Sequence, residues 1–201
     1  MSTRSTLTQP PDLSAFIREV SLISRRAQDD PAALPTLVAE QLQALIAAGF
    51  ALAEDHLVPD RARYGQRVLH IDPEGFFSVV GLAWLPGQRT PIHDHVAWCV
   101  SGVIRGVEEE RRYRLMRDGK GDHLVRSGTR WMTRGEVGVL TPPDEDIHRV
   151  VNSGTELAVS LHVYGADIGV LGSSINRTFE LPVVDTPSSD AEPVAWRTVL
   201  S

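Results

Sequence analysis

Short apolar segments dominate the chain after about residue 66, and turn sequences separate them at close intervals. Examples are FFSVVGLAWL, AWCVSGVI, HRVVN and LAVSLHVYG, which are rich in valine and too short for ordinary helices. Between them stand DPEG, LPGQ, RDGKGD, RSGT and NSGT, which have the composition of turns. Many short strands joined by tight turns must cover each other's apolar faces, so the pattern predicts a β-sandwich or a closed β-barrel.

The segment from residue 12 to about residue 50 follows a different period. Apolar side chains recur there every three or four residues, which is typical of two amphipathic helices divided by the turn sequence DDPAALP. The apolar positions are Leu13, Phe16, Ile17, Val20 and Ile23 in the first helix, and Leu37, Val38, Leu42, Leu45 and Ile46 in the second, which ends at Gly49. We therefore divide the chain into a helical segment (1–62), a β-barrel on which it packs (63–185) and a peripheral tail (186–201).

Charge and composition exclude several classes of function. The chain of 201 residues carries a formal net charge of −6 and has no run of Lys or Arg, so nucleic acid is not an expected partner. No window approaches the roughly 18 apolar residues of a membrane span, and the N-terminal residues lack the apolar core of a signal peptide. A single cysteine fits a reducing compartment. We expect a cytoplasmic monomer with no membrane partner.

Two histidines, one residue apart, stand in the otherwise apolar segment PIHDHVAWCVSGVIRG. In a strand the side chains of residues i and i+2 point the same way, so His93 and His95 project together. Two histidines satisfied by ordinary hydrogen bonds are one interpretation. Burying both imidazoles without partners is costly, and a metal ion satisfies them at once, which favours a metal site. Asp94 faces the other side of the strand, where we expect a hydrogen-bond partner rather than a ligand.

The spacing around this pair resembles the first motif of the cupin barrels. Five residues separate Gly87 from His93, and ten residues separate His95 from Gly106. The glutamate that usually completes this motif as a metal ligand is replaced here by Cys99, the only cysteine of the chain. The resemblance therefore implies a metal site without its usual carboxylate.

A second cupin-like motif follows, with Pro143, His148 and Asn152 at the expected spacing and Glu145 where glycine is usual. The resemblance implies that His148 joins the first two histidines on the metal. It also implies a mainly β fold, a cupin (jelly-roll-like) β-barrel with the two N-terminal helices packed on it. Three neutral imidazoles leave a ferrous ion with open positions for an anionic sulfur ligand and for dioxygen. Zinc on three histidines also activates water, so the ligand types alone leave iron and zinc open.

Three segments together resemble the cysteine dioxygenase-type thiol dioxygenases, which are cupins with a three-histidine iron site. They are PIHDHVAWCVSGVIRG, DIHRVVN and SLHVYGADIG, and they occur in order. The resemblance implies Fe(II) as the cofactor, and a small thiol and O2 as the partners in a reaction that yields a sulfinic acid. It also implies a relay of Ser160, His162 and Tyr164, which alternate along one predicted strand. The plain interpretation of SLHVY alone is a strand with one polar face.

Substrate choice in this family depends on a position two residues after a tyrosine. Animal-type enzymes have an arginine there that holds the substrate carboxylate, whereas YGQRVL places Gln66 at that position. Glutamine resembles the bacterial branch that prefers 3-mercaptopropionate, because a neutral amide cannot form the bidentate charged pair that arginine makes. Arg177 is then a candidate for binding the carboxylate, with an ordinary surface arginine as the alternative. Trp98 and Trp84 are candidate walls of the substrate cavity, with core packing as the alternative for each.

Cys99, in contrast to Gln66, resembles the animal-type branch of the family. Animal-type enzymes join the corresponding cysteine to the active-site tyrosine through a thioether, and this chain holds both Cys99 and Tyr164. A crosslink and a small buried free thiol both fit the sequence. Three functions follow: a 3-mercaptopropionate-type dioxygenase, which we favour, a cysteine dioxygenase, and a metal-binding cupin without catalysis.

Overall fold

The computed structural model describes residues 12–53, 58–119, 121–143 and 146–185, so the predicted tail 186–201 and Glu145 lie outside the described residues. Two helices come first, α1 (Leu13–Arg26) and α2 (Leu34–Ala47), with a short 3₁₀ turn (Ala27–Asp29) after α1. A one-turn helix, α3 (Ile168–Leu171), lies near the end of the described chain. The strands are β1 (Gly65–Ile71), β2 (Ser78–Trp84), β3 (His93–His95), β4 (Cys99–Arg105), β5 (Val107–Asp118), β6 (Gly121–Thr133), β7 (Val137–Leu140), β8 (His148–Val151), β9 (Ala158–Tyr164), β10 (Ile175–Thr178) and β11 (Val183–Val184).

The strands build two facing sheets. One has the order β1-β2-β9-β4-β7 and the other the order β10-β3-β8-β5-β6-β11. Neighbouring strands are antiparallel, apart from the parallel pair of β11 and β6. From β2 onward the chain crosses repeatedly from one sheet to the other, as it does in a jelly roll. The mainly β class, the jelly-roll-like cupin barrel and the two N-terminal helices are therefore confirmed.

The central strands of the five-stranded sheet are buried on both faces. On its outer face Val79 and Leu161 pack in one cluster with Leu42 of α2. On its inner face Val80 packs in a second cluster with Val150 of the other sheet. All residues of β2 and β9 are buried. Their sequences are therefore apolar in unbroken runs, because a strand covered on both sides has no solvent face to mark with alternation.

The helices cover the outer face much as the period predicts. Helix α1 follows an N-cap at Asp12, whose carboxylate accepts the backbone N–H of Ser14 at 3.0 Å, and it buries Val20 completely. Helix α2 ends two residues before Gly49, which has the left-handed φ of +95° that favours glycine. Leu37, expected on the apolar face of α2, is 38% exposed. None of the helices within the described ranges is long and apolar enough to cross a membrane.

The two glycines of the first motif hold left-handed turns. Gly87 and Gly106 have φ angles of +79° and +78°, which residues with a Cβ rarely adopt. The N–H of Gly87 donates to the carbonyl oxygen of Asn152 at 2.9 Å, which joins the two motifs. A Cβ at Gly106 would lie 2.8 Å from Cα of Ala158, whereas a Cβ at Gly87 would meet nothing within 4 Å. The backbone of the barrel therefore closes directly against Gly106.

We expect Gly106→Ala to destabilise the protein more than Gly87→Ala. Both substitutions carry the left-handed penalty of about 1–2 kcal/mol. Only Gly106→Ala also places a Cβ against the backbone of Ala158. Overpacking of this kind adds about 1–3 kcal/mol to the loss of stability. Free energies of unfolding from urea titrations measure the difference. Equal losses in the two variants would show that close packing at Gly106 contributes nothing.

Candidate functional site

Three histidine side chains meet between β3 and β8. The register places His93 directly opposite His148, and His95 shares the face of His93 because alternate residues of a strand point the same way. The ring centroids lie 4.8, 4.7 and 4.9 Å apart. One ligand atom of each residue lies within 4.8 Å of the others, and all three side chains are buried. The structure thus brings together the three residues that the sequence predicted as ligands.

The rings of His93 and His95 are held through Nδ1. Nδ1 of His93 lies 3.1 Å from the carbonyl oxygen of Pro91, and an acceptor there requires a proton on that nitrogen. Nδ1 of His95 lies 3.3 Å from Oδ2 of Asp146, and the same oxygen accepts the backbone N–H of His95 at 2.6 Å. With Nδ1 as the donor, each ring in its neutral form has a free lone pair on Nε2.

His148 is held in the same way by a buried ion pair. Its Nδ1 lies 3.3 Å from Oε1 of Glu110, and Nε of Arg112 donates to that oxygen at 2.9 Å. Burial alone would raise the pKa of Glu110, but the hydrogen bond with His148 and the charge of Arg112 lower it to about 2. The carboxylate therefore stays charged and continues to accept the Nδ1 proton of His148.

Burial disfavours the charged forms of His93 and His148. It lowers the pKa of His93 well below the usual value, and the neighbouring His148 and His95 lower it further because positive charges repel. Burial also lowers the pKa of His148. The three imidazoles lie in so small a volume that a single cation can accept one lone pair from each of them. This donor set fits a divalent ion of the iron or zinc type, so the cluster indicates a non-haem metal site.

The histidine cluster lines a cavity of about 590 Å³. Trp84 and Tyr64 form part of its wall and stack with ring centroids 4.3 Å apart. Gln66, the predicted specificity residue, lines the cavity from β1. Arg63, which the sequence did not single out, lines it as well. The volume suits a small organic molecule beside a metal ion.

A chain of hydrogen bonds runs along β9 to this cavity. The hydroxyl of Tyr164 lies 3.2 Å from Nδ1 of His162, and Nε2 of His162 lies 3.0 Å from Oγ of Ser160. The indole N–H of Trp84 donates to the same Oγ at 3.4 Å. His162 and Tyr164 line the cavity, and Ser160 is fully buried behind them. The alternation of the three residues along the strand thus becomes a continuous chain in the structure.

Burial also fixes the charge of this chain. It lowers the pKa of His162 to about 3, so the ring is neutral and carries one proton. It raises the pKa of Tyr164 well above the usual value, so the phenol keeps its proton. At neutral pH the His162 ring and the Tyr164 phenol are therefore both uncharged.

Cys99 faces the end of this chain. The register of β4 and β9 places it directly opposite Tyr164, and its Sγ lies 3.8 Å from Nδ1 of His162. Burial raises the pKa of the thiol, which makes a thiolate unfavourable. A thioether to Tyr164 requires this pairing of the two residues, and a free buried thiol is compatible with it too.

Arg177 lies on the far side of β3 from the cavity. It stands opposite Asp94 in the pairing of β10 with β3, and its backbone N–H and Nε each donate to the Asp94 carboxylate at 2.7 Å. Because Asp94 alternates with the clustered histidines, this ion pair points away from them. The structure therefore places Arg177 as a partly exposed, ion-paired arginine, and we do not retain it as a substrate-binding residue.

Trp98 also lies outside the cavity wall. It packs beside the cluster between the helices and the five-stranded sheet. It lies against Gly165 so closely that a Cβ there would come within 2.1 Å of its Nε1. Of the two tryptophans that the sequence offered as cavity walls, Trp84 lines the cavity and Trp98 packs against the core.

The sequence did not predict the carboxylates that hold the histidines. Glu110 belongs to the run EEERR, which has the composition of a solvated strand, and Asp146 lies in a loop. In the structure Glu108, Glu110 and Arg112 share one face of β5 and are all buried. The sequence did hold one signal for this burial, since Glu110 and Arg112 stand two residues apart on the same strand. A charged side chain that faces the interior needs an opposite charge on its own face of the strand.

Asp146→Ala removes the acceptor of the His95 Nδ1 proton and leaves all three histidines in place. We expect affinity for Fe(II) and Zn(II) to fall about 10–100-fold, as it does when such a hydrogen-bond partner is lost elsewhere. Competition with a chromophoric chelator measures the affinity. Asp72→Ala is the matched control, because Asp72 is a buried carboxylate that accepts the backbone N–H of Glu74 at 3.0 Å away from the cavity. Equal affinities in the two variants would contradict this role of Asp146.

A family model described as cysteine dioxygenase type I matches residues 40–169, more than half of the chain. Cysteine dioxygenase type 1 of Homo sapiens is 28% identical over 121 residues, and that of Rattus norvegicus is 27% identical over 121 residues. Each match covers 59% of this chain and 59% of the relative. The chain thus spans well under two thirds of the length of these curated relatives.

Among solved structures, the chain is similar to an uncharacterized conserved protein with a double-stranded β-helix domain from Klebsiella pneumoniae subsp. pneumoniae. The identity is 19% and the TM-score 0.45, and the match covers 59% of this chain and 90% of that chain. The range matched by the family model contains the histidine cluster and the whole of β9. The chain belongs to the cysteine dioxygenase type I family.

Proposed function

We propose that the protein is a non-haem Fe(II) dioxygenase that oxidises a small thiol carboxylate, of the 3-mercaptopropionate type, to its sulfinic acid. Both atoms of O2 go to sulfur, so the reaction needs no external reductant. One observation carries the proposal: three clustered histidines and the hydroxyl end of a buried relay line the same cavity. Membership of a dioxygenase family supports the same reaction class.

The residues of the site have separate tasks in this proposal. His93, His95 and His148 hold the iron through Nε2, because their Nδ1 atoms are occupied. Fe(II) held there would offer open positions to a thiolate and to O2 and would lower the pKa of the thiol. Tyr164 donates a hydrogen bond into the cavity, toward the substrate or oxygen. His162 orients that phenol through the contact at its Nδ1.

Gln66 and Arg63 support a thiol carboxylate as the substrate. Gln66 lines the cavity with a neutral amide, which can donate one hydrogen bond to a carboxylate. Arg63 lies at the exposed rim, with its side chain 83% exposed and its Nε 3.6 Å from Oδ2 of Asp60. We propose that Arg63 attracts the substrate carboxylate and that Gln66 orients it, without the bidentate pair that an arginine at position 66 would form.

Cysteine is the second candidate substrate, and two observations favour it. The carboxylate of Asp60 also lines the cavity, where it suits the ammonium group of an amino acid. Cys99 stands opposite Tyr164, as the crosslink of the animal-type relatives would need. Mass spectrometry of the peptides that hold Cys99 and Tyr164 detects the loss of two hydrogens that such a thioether requires.

Oxygen uptake by the iron-loaded protein across a panel of small thiols tests the proposed function. We expect equal amounts of O2 consumed and sulfinate formed, with a higher kcat/KM for 3-mercaptopropionate than for L-cysteine or for cysteamine, which has no carboxylate. No oxygen consumption with any thiol, despite a full iron content, would overturn the proposal in favour of a metal-binding cupin. Faster turnover of L-cysteine would move the preference to the second candidate.

The same panel tests the role of Gln66. We expect Gln66→Arg to shift the kcat/KM ratio toward L-cysteine by about tenfold, since a charge-assisted hydrogen bond contributes about 1.5–3 kcal/mol. Gln66→Asn keeps the neutral amide and should preserve the order of preference. An unchanged ratio in Gln66→Arg would contradict the assignment of Gln66 as a specificity residue.

A further inference from the structure

Strand β3 carries two of the three clustered histidines and is only three residues long. Its pairing with β8, as far as the structure describes that strand, consists of His93 opposite His148. On its other side each residue of β3 pairs with a residue of β10, and the partners on β10 are Ile175, Arg177 and Thr178. The position of β3 in the sheet is therefore set mainly by β10, and the position of two candidate metal ligands is set with it.

An ion pair joins these two strands at the middle residue of β3. The side chain of Asp94 is 5% exposed and that of Arg177 is 48% exposed. One carboxylate oxygen of Asp94 accepts Nε of Arg177 at 2.7 Å and also accepts Nη2, and the other oxygen accepts the backbone N–H of Arg177 at 2.7 Å. A buried carboxylate thus holds both the backbone and the side chain of one residue of β10, in the bidentate geometry that makes such pairs strong.

Backbone hydrogen bonds continue the junction on both sides of the ion pair. The N–H of Val96 donates to the carbonyl oxygen of Ser174 at 3.0 Å, and the N–H of Phe179 donates to that of Ile92 at 2.9 Å. The guanidinium of Arg177 lies over the Phe179 ring, 5.2 Å from its centroid. Phe179 in turn packs on the buried cluster that contains Ile92. The contacts therefore extend beyond both ends of β3.

Residues 174–184 form one continuous C-terminal segment that makes these contacts. It begins at the cavity, which Ser174 and Ile175 line, and it ends in β11, which pairs with β6. The family model ends at residue 169, before this segment begins. The attachment of β3 to the C-terminal segment therefore lies outside the part of the chain that the family match covers.

We propose that the C-terminal segment is part of the metal site, in which Arg177 is a positioning residue that acts through Asp94 to hold His93 and His95 in place beside His148. The proposal rests on the metal site that the proposed function requires, and it does not depend on the identity of the thiol. Ligands must be held within about 0.5 Å of their productive positions, so a small movement of β3 weakens metal binding.

The ion pair is sensitive to the loss of its arginine. Without the guanidinium, the carboxylate of Asp94 keeps the backbone N–H of Arg177 but loses its charged partner while it stays buried. An unpaired buried charge is strongly destabilising, and β3 relieves it only by moving that carboxylate toward water. The two histidines beside Asp94 in the chain move with it.

The first test measures affinity for Zn(II) and Fe(II) in the full-length protein by competition with a chromophoric chelator. We expect Arg177→Met to bind both ions about 2–30-fold more weakly, the range of effects transmitted through a neighbouring contact. Arg177→Lys keeps a charged donor and should recover part of the loss. The matched control is Arg25→Met, which should bind as wild type does. Arg25 is 50% exposed and pairs with Glu74 at 2.5 Å, away from the cavity.

A double-mutant cycle tests whether Arg177 acts through Asp94. Asp94→Asn removes the charge and keeps an oxygen that accepts the backbone N–H of Arg177. Combined with Arg177→Met, it should weaken metal binding no further than Arg177→Met alone, because both changes break the same pair. Losses that add, or an equal loss in Arg25→Met, would overturn the proposal.

The second test needs no metal and follows amide hydrogen exchange in the metal-free protein. The N–H groups of Val96 and Phe179 report the junction of β3 with the C-terminal segment. We expect Arg177→Met to speed their exchange by a larger factor than that of the β9 amides, which report global unfolding. Equal factors would show a general loss of stability and would overturn the proposal. If Arg177→Met does not fold, Asp94→Asn and Arg177→Lys make the same measurements.

Steady-state kinetics separate positioning from substrate binding by Arg177. With iron at saturating concentration, we expect the KM for 3-mercaptopropionate in Arg177→Met to remain that of wild type. A raised KM together with wild-type metal affinity would overturn the proposal in favour of carboxylate binding by Arg177. Faster local exchange in Arg177→Met, in a protein that consumes no O2 with any thiol, would refute the proposed function and support the positioning of β3 by this segment.

Discussion

The hydrogen bonds from the three histidine Nδ1 atoms to oxygen acceptors are the constraint on which the site depends. The acceptors come from three separate places: the carbonyl of Pro91 before β3, the carboxylate of Asp146 before β8, and Glu110 on β5. They fix the tautomer of each ring and leave one nitrogen of each for a metal. A shift of one residue in β8 would turn His148 to the other face and dissolve the cluster. The histidine cluster therefore depends on the register of the six-stranded sheet.

The barrel then sets a second group of side chains against this cluster. The histidines belong to the six-stranded sheet, whereas the relay belongs to β9 in the five-stranded sheet. Closure of the two sheets brings the Tyr164 ring within 6.3 Å of the His95 ring, measured between centroids. The two helices cover the outer face of β9, so that strand is buried on both sides. This burial keeps His162 neutral and Tyr164 protonated.

Features with a local sequence signal were predictable. The spacing of His93 and His95, and the alternation of Ser160 and Tyr164 about His162, depend only on the period of a strand. The same rule, applied to neighbours, also separates Cys99 inside the barrel from Trp98 outside it. The prediction of a cavity role for Trp98 relied on its aromatic side chain and did not apply the alternation of neighbouring residues.

Features that depend on pairing between distant segments could not be read in advance. Arg177 contacts Asp94 because β10 pairs with the edge of β3, and the sequence around either residue does not predict that contact. Glu108 and Glu110 occur in a run of charge that is typical of a solvated strand, yet they face the interior. The charge of Glu110 is tolerated there because it pairs with Arg112, and burial raises the pKa of Glu108 to about 7. Only the three-dimensional fold supplies those partners.

X-ray absorption spectroscopy of the iron-loaded protein tests the central claim most directly. The account predicts one Fe(II) per chain with three imidazole nitrogens from the protein and no carboxylate or sulfur ligand from it. Replacing His148 with alanine should remove one imidazole from the spectrum. A site with fewer than three imidazoles in the wild type, or a spectrum unchanged by that substitution, would contradict it.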